Sequence, residues 1–352
     1  MAGRIGARGW WGGRARNPCR AGDRTLVRVS NDAAARMSHD PRLVFAAIAL
    51  CGALGFVLPG YAVTLLTEAL ILALFALSLD LLVGHMRLVS FGHAGPWAFG
   101  AYAAAGMMLV WQLPLPVAVI GAALATALVA IPVGWLCVRT TGVAFAMLSL
   151  AFAQLGYAVV FKWNSVTGGS DGLPGIPRIG GFGLDWLATR EGFHVLAALA
   201  LAGAYAFARG FVLSPFGRVV AAVRENEGRA EALGYDARRA RLVVFVLSYG
   251  LAGLAGGLYA AFARYVSPEL FFWTVSGHVL VMVVLGGAGT LVGPMIGAMA
   301  LFFLEHELSG LTTSWGLVLG ILFVIVVIYA PQGLMGWLQS ALRRGRGRHA
   351  AP

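Results

Sequence analysis

The chain has 352 residues, of which 59% are hydrophobic and only 12% charged, with a mean hydropathy of +0.80. Soluble domains carry about 25% charged residues, so a soluble enzyme or binding module is excluded and the chain reads as an integral membrane protein. The net charge of +11 is not spread over a face: residues 1–36 hold eight Arg against Asp23 and Asp32, and Arg343, Arg344, Arg346 and Arg348 close the chain. Such terminal basicity marks the cytoplasmic flanks of spans, and no nucleic-acid partner is expected.

In chain order, residues 1–36 are rich in Arg and Gly and lack the apolar stretch of a signal peptide. Met37-Ser38-His39-Asp40 stands directly before the first apolar run and reads as a natural start, with 1–36 an upstream extension inside a basic N-terminal segment, 1–42. A bilayer core of about 30 Å takes around 20 apolar residues per helix. Apolar runs then place spans at 43–59, 61–83, 91–112, 114–138, 142–161, 193–209, 241–263 and 311–330. The stretch 275–306 is too long for one simple span and is interrupted by Gly286-Gly287-Ala288-Gly289-Thr290-Leu291-Val292-Gly293-Pro294, so two short spans or a re-entrant hairpin are expected.

These runs predict an all-α polytopic bundle of about 8–10 transmembrane helices filling 43–337, with Gly-rich discontinuous segments. If each early run crosses once, Arg42, Arg87, Arg139 and the charged island 209–241 fall on one side. The N-terminus, the island and a basic tail, 338–352, are then cytoplasmic, and the loop 162–192 is extracytoplasmic. Five spans on each side of that loop would form two halves of inverted topology. Gly95-Pro96 with Gly100-Ala101 and Gly293-Pro294 with Gly297-Ala298 are faintly alike near the third span of each half.

No catalytic or metal constellation emerges. Cys19, Cys51 and Cys137 share no metal or disulfide spacing. Lys162, the single lysine, is followed by Trp163, so the chain has no phosphate-binding loop of its own. His85 and His93 flank Arg87 as packing residues, and Glu305-His306-Glu307 lacks the paired His of a zinc protease and reads as an interfacial cluster. Glu68 and Asp80 are intramembrane carboxylates, which face a cavity or a partner. Structural hydrogen bonding is preferred to a proton or cation relay, the relay being the signature of an ion-coupled secondary transporter.

Two polar segments stand apart. In the cytoplasmic loop 210–240, Ser214 and Pro215 suit an N-cap and first helical position. Val219, Val223, Ala230 and Leu233 recur at helical spacing, and Gly234 suits a stop. One short amphipathic helix with an Arg/Glu face is expected. The outer run Thr167-Gly168-Gly169-Ser170-Asp171-Gly172 reads as ordered turns, with Asp171 capping backbone amides.

Five ordered motifs then resemble one family. They are Gly84 with Ser90-Phe91-Gly92-His93-Ala94 and Gly100-Ala101-Tyr102; Phe145-Ala146-Met147-Leu148-Ser149-Leu150-Ala151-Phe152-Ala153-Gln154; residues 167–172; Phe216-Gly217-Arg218 with Arg224-Glu225-Asn226-Glu227; and residues 286–294. Together, over about residues 43–337, they resemble the permease subunits of branched-chain amino acid ABC importers. In that family the position of Asp80 is often Asn. Glu231-Ala232-Leu233-Gly234 is similar to the Glu-Ala-Ala loop of ABC importers, with its Gly earlier than usual.

The resemblance implies a non-enzymatic subunit of the bacterial inner membrane with no cofactor of its own. Its partners are a second homologous permease, two cytoplasmic ATP-binding subunits, an extracytoplasmic substrate-binding protein and the surrounding lipid. Arg218, Arg224, Glu225, Asn226, Glu227, Glu231 and Gly234 would couple to the ATPase. Asp80, Ser90, Gly92, His93, Gly286, Gly287, Gly289 and Thr290 would line the path, and Thr167, Gly168, Gly169, Ser170 and Asp171 would form the outer docking or gating loop. Substrates in such permeases are branched-chain or other small neutral amino acids, or urea and short amides.

Overall fold

The computed structural model describes residues 41–180, 185–311, 316–318, 320–321, 324 and 333–336. The extension 1–36, most of the expected span 311–330 and the tail 338–352 lie outside the described residues. The helices are α1 (Pro41–Leu54), α2 (Gly60–Met86), α3 (Ala94–Leu109), α4 (Leu115–Cys137), α5 (Gly142–Lys162), α6 (Arg190–Leu213), α7 (Pro215–Glu225), α8 (Glu227–Ala232), α9 (Ala237–Ala263), α10 (Trp273–Gly286) and α11 (Val292–Leu311). Two-residue strands β1 (Leu173–Pro174) and β2 (Tyr265–Val266) pair antiparallel, Leu173 opposite Val266.

By length and apolar composition α2, α4, α5, α6 and α9 can each cross a membrane. Helices α1, α3 and α10 hold 14, 16 and 14 residues. At 1.5 Å per residue each is about 21–24 Å long, short of a 30 Å core. The expected spans 43–59 and 91–112 are therefore shorter helices than their apolar runs. In the second case residues 91–93 lie outside the helix, and Gln112 beyond its far end turns to a φ of 48°. The expected division of 275–306 is present, α10 and α11 being separated by residues 287–291.

Helix α9 is the hub, packed against α2, α3 and α4. Lipid is as apolar as leucine, so helices in a bilayer associate by close van der Waals fit, which favours small residues. A Cβ on Gly100 would overlap the Gly253 backbone, one on Gly253 the Thr126 side chain, and one on Gly256 the Trp97 carbonyl oxygen. At Gly257 the same atom would sit 3.3 Å from the Cβ atoms of Ala104 and Ala122. Around these contacts Trp97 fills the gap between Phe75 and Tyr259, with ring centroids 4.4 and 5.1 Å away.

The loop between α5 and α6 is clamped to this hub. Arg178 donates from Nε to the Ala261 carbonyl at 2.8 Å and from its terminal nitrogen to the Phe262 carbonyl at 3.1 Å. Its guanidinium lies 4.3 Å from the Phe193 ring centroid. A cation at the carbonyl end of α9 also opposes the negative pole of that helix. Burial, then the nearby Arg264 and Arg190, bring the Arg178 pKa down to about 10, so it remains charged at neutral pH.

The hub gives a stability test. Gly256→Val forces a branched side chain against the Trp97 carbonyl and should cost about 1–3 kcal/mol by overpacking. Gly203→Ala, where nothing lies within 4 Å, should leave stability unchanged. Thermal unfolding of the two variants in detergent, followed by size-exclusion chromatography, checks the difference.

Candidate functional site

The polar chemistry inside the bundle gathers at two interruptions of its helices. After α2, Arg87 adopts a left-handed φ of 55° and its N–H returns to the Leu82 carbonyl. Residues 88–93 then run non-helically into α3. Ser90 and His93 are fully buried there. His93 Nε2 lies 2.9 Å from Ser78 Oγ, and that hydroxyl already donates to the Phe75 carbonyl at 2.6 Å. A hydroxyl has one hydrogen, so His93 Nε2 is the donor. The imidazole stacks on Phe75 at 5.4 Å and meets Tyr249 edge-on at 5.6 Å. Ser248 donates to the Ser78 carbonyl at 2.5 Å, and Ser276 Oγ accepts from the Ala94 N–H at 2.8 Å. A Cβ on Gly92 would overlap the Ser149 carbonyl oxygen.

The second interruption follows α10. Gly287 and Gly289 hold φ of 106° and 84°, which L side chains rarely adopt. Thr290 Oγ1 donates to the Gly287 carbonyl and accepts from the Gly293 N–H, both at 2.9 Å, starting α11. A Cβ on Gly286 would overlap the Gly293 carbonyl. Gly-Pro occupies the second and third residues of both α3 (Gly95-Pro96) and α11 (Gly293-Pro294), so the faint likeness in the sequence falls at matching places in the two interrupted segments.

Asp80 joins the interruptions. Its side chain is fully buried on α2, Oδ1 accepting from the Gly289 N–H at 2.6 Å and Oδ2 from the Leu291 N–H at 3.2 Å. One turn along, Gly84 leaves room for Gly289, whose amide a Cβ there would strike. His85 Nδ1 lies 3.8 Å from Asp80 Oδ2. Glu68, 12 residues earlier and hence about 18 Å along the helix axis, is only half-buried. The two carboxylates do not share a site.

The charged island forms two helices rather than the single one expected. Ser214 Oγ caps α7 by accepting from the Gly217 N–H at 3.0 Å. Asn226 then takes an extended conformation and caps α8, its Oδ1 accepting from the Arg229 N–H at 2.9 Å. This second cap is the physical cause of the break. Gly234, at a φ of 88°, stops α8 as expected. Of the expected apolar stripe Val223 and Ala230 are buried and Val219 is half-buried, but Leu233 is 70% exposed and Val220 is buried instead. Arg218, Glu225, Asn226 and Glu231 are exposed. Glu227 pairs with the buried Arg241, which also donates to the Val138 carbonyl at 3.1 Å. Within the expected coupling set it therefore ties the island to the bundle.

In the run 167–172 Thr167 does the capping assigned to Asp171. Thr167 Oγ1 donates toward the Val160 and Trp163 carbonyls at 2.6 and 2.8 Å and accepts from the Gly169 N–H at 3.4 Å. Asp171 is exposed, receiving the Ser170 hydroxyl at 3.1 Å. Gly168, Gly169 and Gly172 all have positive φ, as ordered turns require. The expected interfacial cluster pairs Glu305 with His278 and His306 with Tyr61, each at 2.7 Å. Among the described residues no three His, Cys, Asp or Glu side chains gather as a metal site.

Sequence reasoning did not single out Arg178, Arg241 or the glycines of α9. The small residues at four-residue spacing, Gly253 and Gly257, were the readable signal for that packing face.

A polytopic helical bundle with interrupted, glycine-lined segments and a capped amphipathic pair at one end defines a membrane permease. Residues 61–327 match the family model described as the branched-chain amino acid transport system permease component. The chain is 32% identical over 311 residues to the high-affinity branched-chain amino acid transport system permease protein LivM of Escherichia coli (strain K12), covering 81% of this chain and 72% of that protein. LivH of the same organism is 30% identical over 125 residues, 35% of this chain and 40% of LivH. The autoinducer 2 import system permease protein LsrC of Klebsiella pneumoniae is 35% identical over 117 residues, 32% of each chain. No solved structure matches. The chain belongs to the branched-chain amino acid permease family, and it is a permease subunit of an ABC importer.

The Arg241 tie separates architecture from surface. Glu227→Ala leaves the Arg241 guanidinium, whose side chain is 7% exposed, with its backbone acceptor alone and should cost about 1–3 kcal/mol. Glu225→Ala, in the exposed neighbour, should be within about 0.5 kcal/mol of the parent. The two apparent melting temperatures measure the contrast.

Proposed function

We propose that this subunit imports a branched-chain or other small neutral amino acid, driven by ATP hydrolysis in two cytoplasmic partner subunits and paired with a second, related permease. The observation that carries the reading is the α7–α8 pair. It is held to the bundle by Glu227 and Arg241, capped at both starts, and leaves Arg218, Glu225 and Glu231 exposed. An exposed, mixed-charge helix of this kind is a surface that a motor subunit can grip. The names of the LivM and LivH relatives support the substrate class and a two-permease system.

On this reading α7–α8 and both termini face the cytoplasm, and the chain spans the inner membrane. Access alternates around the seam of Asp80, Ser90, Gly92, His93, Gly286, Gly287, Gly289 and Thr290. The turns at Thr167, Gly168, Gly169, Ser170 and Asp171 meet the substrate-binding protein outside. The seam is close-packed, which suits a state closed to both sides. Both oxygens of Asp80 are taken by backbone amides, so nothing favours an ion relay through it.

The test is uptake by the importer reconstituted in proteoliposomes with its ATPases and binding protein. Arg218→Glu with Glu225→Arg should leave insertion and yield intact, because both side chains are exposed. The same pair should lower ATP-driven uptake about tenfold or more, the effect of losing roughly 1.4 kcal/mol of docking. Normal uptake by that double variant would refute the coupling surface.

A further inference from the structure

We propose that the seam between α5 and the start of α3 holds a site for a zwitterionic substrate, His93 Nδ1 accepting from its ammonium and the Gln154 amide nitrogen donating to its carboxylate; the site deepens the permease reading above and rests on it. Both atoms are buried, and neither has a hydrogen-bond partner among the described residues. At His93 the reason is arithmetic. Its Nε2 hydrogen is committed to Ser78, whose own hydrogen goes to the Phe75 carbonyl, so in the neutral ring Nδ1 is a bare acceptor. At Gln154 the unpaired atom is a donor. A buried polar atom left without a partner is destabilising, and the opposite polarity of these two suits them to the two charged ends of one amino acid.

The two atoms are carried by the two sides of one seam. A Cβ on Gly92 would overlap the Ser149 carbonyl oxygen, and one on Gly95 would lie 3.5 Å from both Cα and Cβ of Ala153, the residue before Gln154. No hydrogen bond crosses between residues 92–109 and α5 among the described residues. The start of α3 is held instead to α10, where Ser276 accepts from the Ala94 N–H at 2.8 Å. Parting α5 from α3 therefore breaks only van der Waals contact between small residues, and it makes room on the seam that carries both unpaired atoms.

The experiment uses the assembled importer in proteoliposomes and follows uptake of radiolabelled L-leucine together with ATP hydrolysis. The Cβ separation of 3.5 Å between a side chain at 95 and Ala153 lies at the short end of the range that a disulfide spans, about 3.5–4.5 Å. Gly95→Cys with Ala153→Cys, oxidised by copper phenanthroline, should therefore cross-link and lower uptake about tenfold or more, the effect of closing off the site. Dithiothreitol should restore uptake, and the same oxidant should leave the parental importer unchanged. Full uptake with the cross-link in place, or failure of the two cysteines to join, overturns the seam.

A second measurement reads the contact itself. With the histidines of this chain labelled with nitrogen-15, the His93 Nδ1 resonance, identified as the one lost in His93→Gln, should move to the hydrogen-bonded range when L-leucine is supplied. His93→Phe and Gln154→Met should each lower uptake per ATP about tenfold, as the loss of one hydrogen bond to a charged group predicts. His93→Gln, which keeps both a donor and an acceptor, should restore most of it. A His93 resonance that leucine does not move, or parental uptake in His93→Phe, overturns the site. Absence of ATP-driven uptake by the parental complex would instead overturn the permease reading, and this site with it.

Discussion

A helix interrupted inside a bilayer exposes amides and carbonyls that no lipid can satisfy, each at a cost of several kcal/mol. The hydrogen bonds that the Gly289 and Leu291 amides donate to Asp80 answer that constraint for the α10–α11 interruption, and Thr290 answers for the adjoining carbonyl and the start of α11. The α2–α3 interruption is met differently. There Ser276 takes the Ala94 amide, His93 donates to the Ser78 hydroxyl, and Ser248 donates to the Ser78 carbonyl. Without these side chains neither broken segment has a reason to persist at its depth in the bundle.

The two solutions divide the molecule mechanically. Helices α3, α4 and α9 meet through glycine contacts so close that a single Cβ at Gly100, Gly253 or Gly256 would overlap a neighbour. Packed surfaces of this kind move as blocks, since interdigitated side chains have few alternative arrangements. The turn at 287–291 is built instead from glycines at positive φ and one carboxylate clamp. It too is close-packed, since a Cβ on Gly84 would strike Gly289 and one on Gly286 would strike Gly293.

Much of this was legible in the chain itself, for identifiable reasons. Apolar runs locate helices because their length is imposed by the bilayer, and the dense glycines of 286–294 marked the interruption because few other residues tolerate its backbone. Gly234 announced its stop in the same way, by a φ that only glycine accepts freely. What stayed hidden depends on distant partners. The Asp80 acceptors receive from residues 209 and 211 positions away, and Arg178 reaches carbonyls 83 and 84 positions on. Local pattern was misleading where a side chain competed with it. Helical spacing from Val219 to Leu233 reads as one helix, yet the Asn226 cap divides it and turns Leu233 outward.

The placement of charge follows the same logic as the placement of glycine. A buried cation unpaired in a low-dielectric interior is strongly unfavourable, so Arg241 is held by both Glu227 and a backbone carbonyl, and Arg178 by two carbonyls and an aromatic face. Each arginine stands near one end of α9, Arg241 as its fifth residue and Arg178 on its last carbonyls. The first joins α9 to the charged island and the second joins it to the opposite loop. The central helix is therefore anchored to the polar segment at each of its ends, while its middle, lacking any charge, is fixed by small-residue contacts, aromatic packing and the Ser248 hydrogen bond to the Ser78 carbonyl.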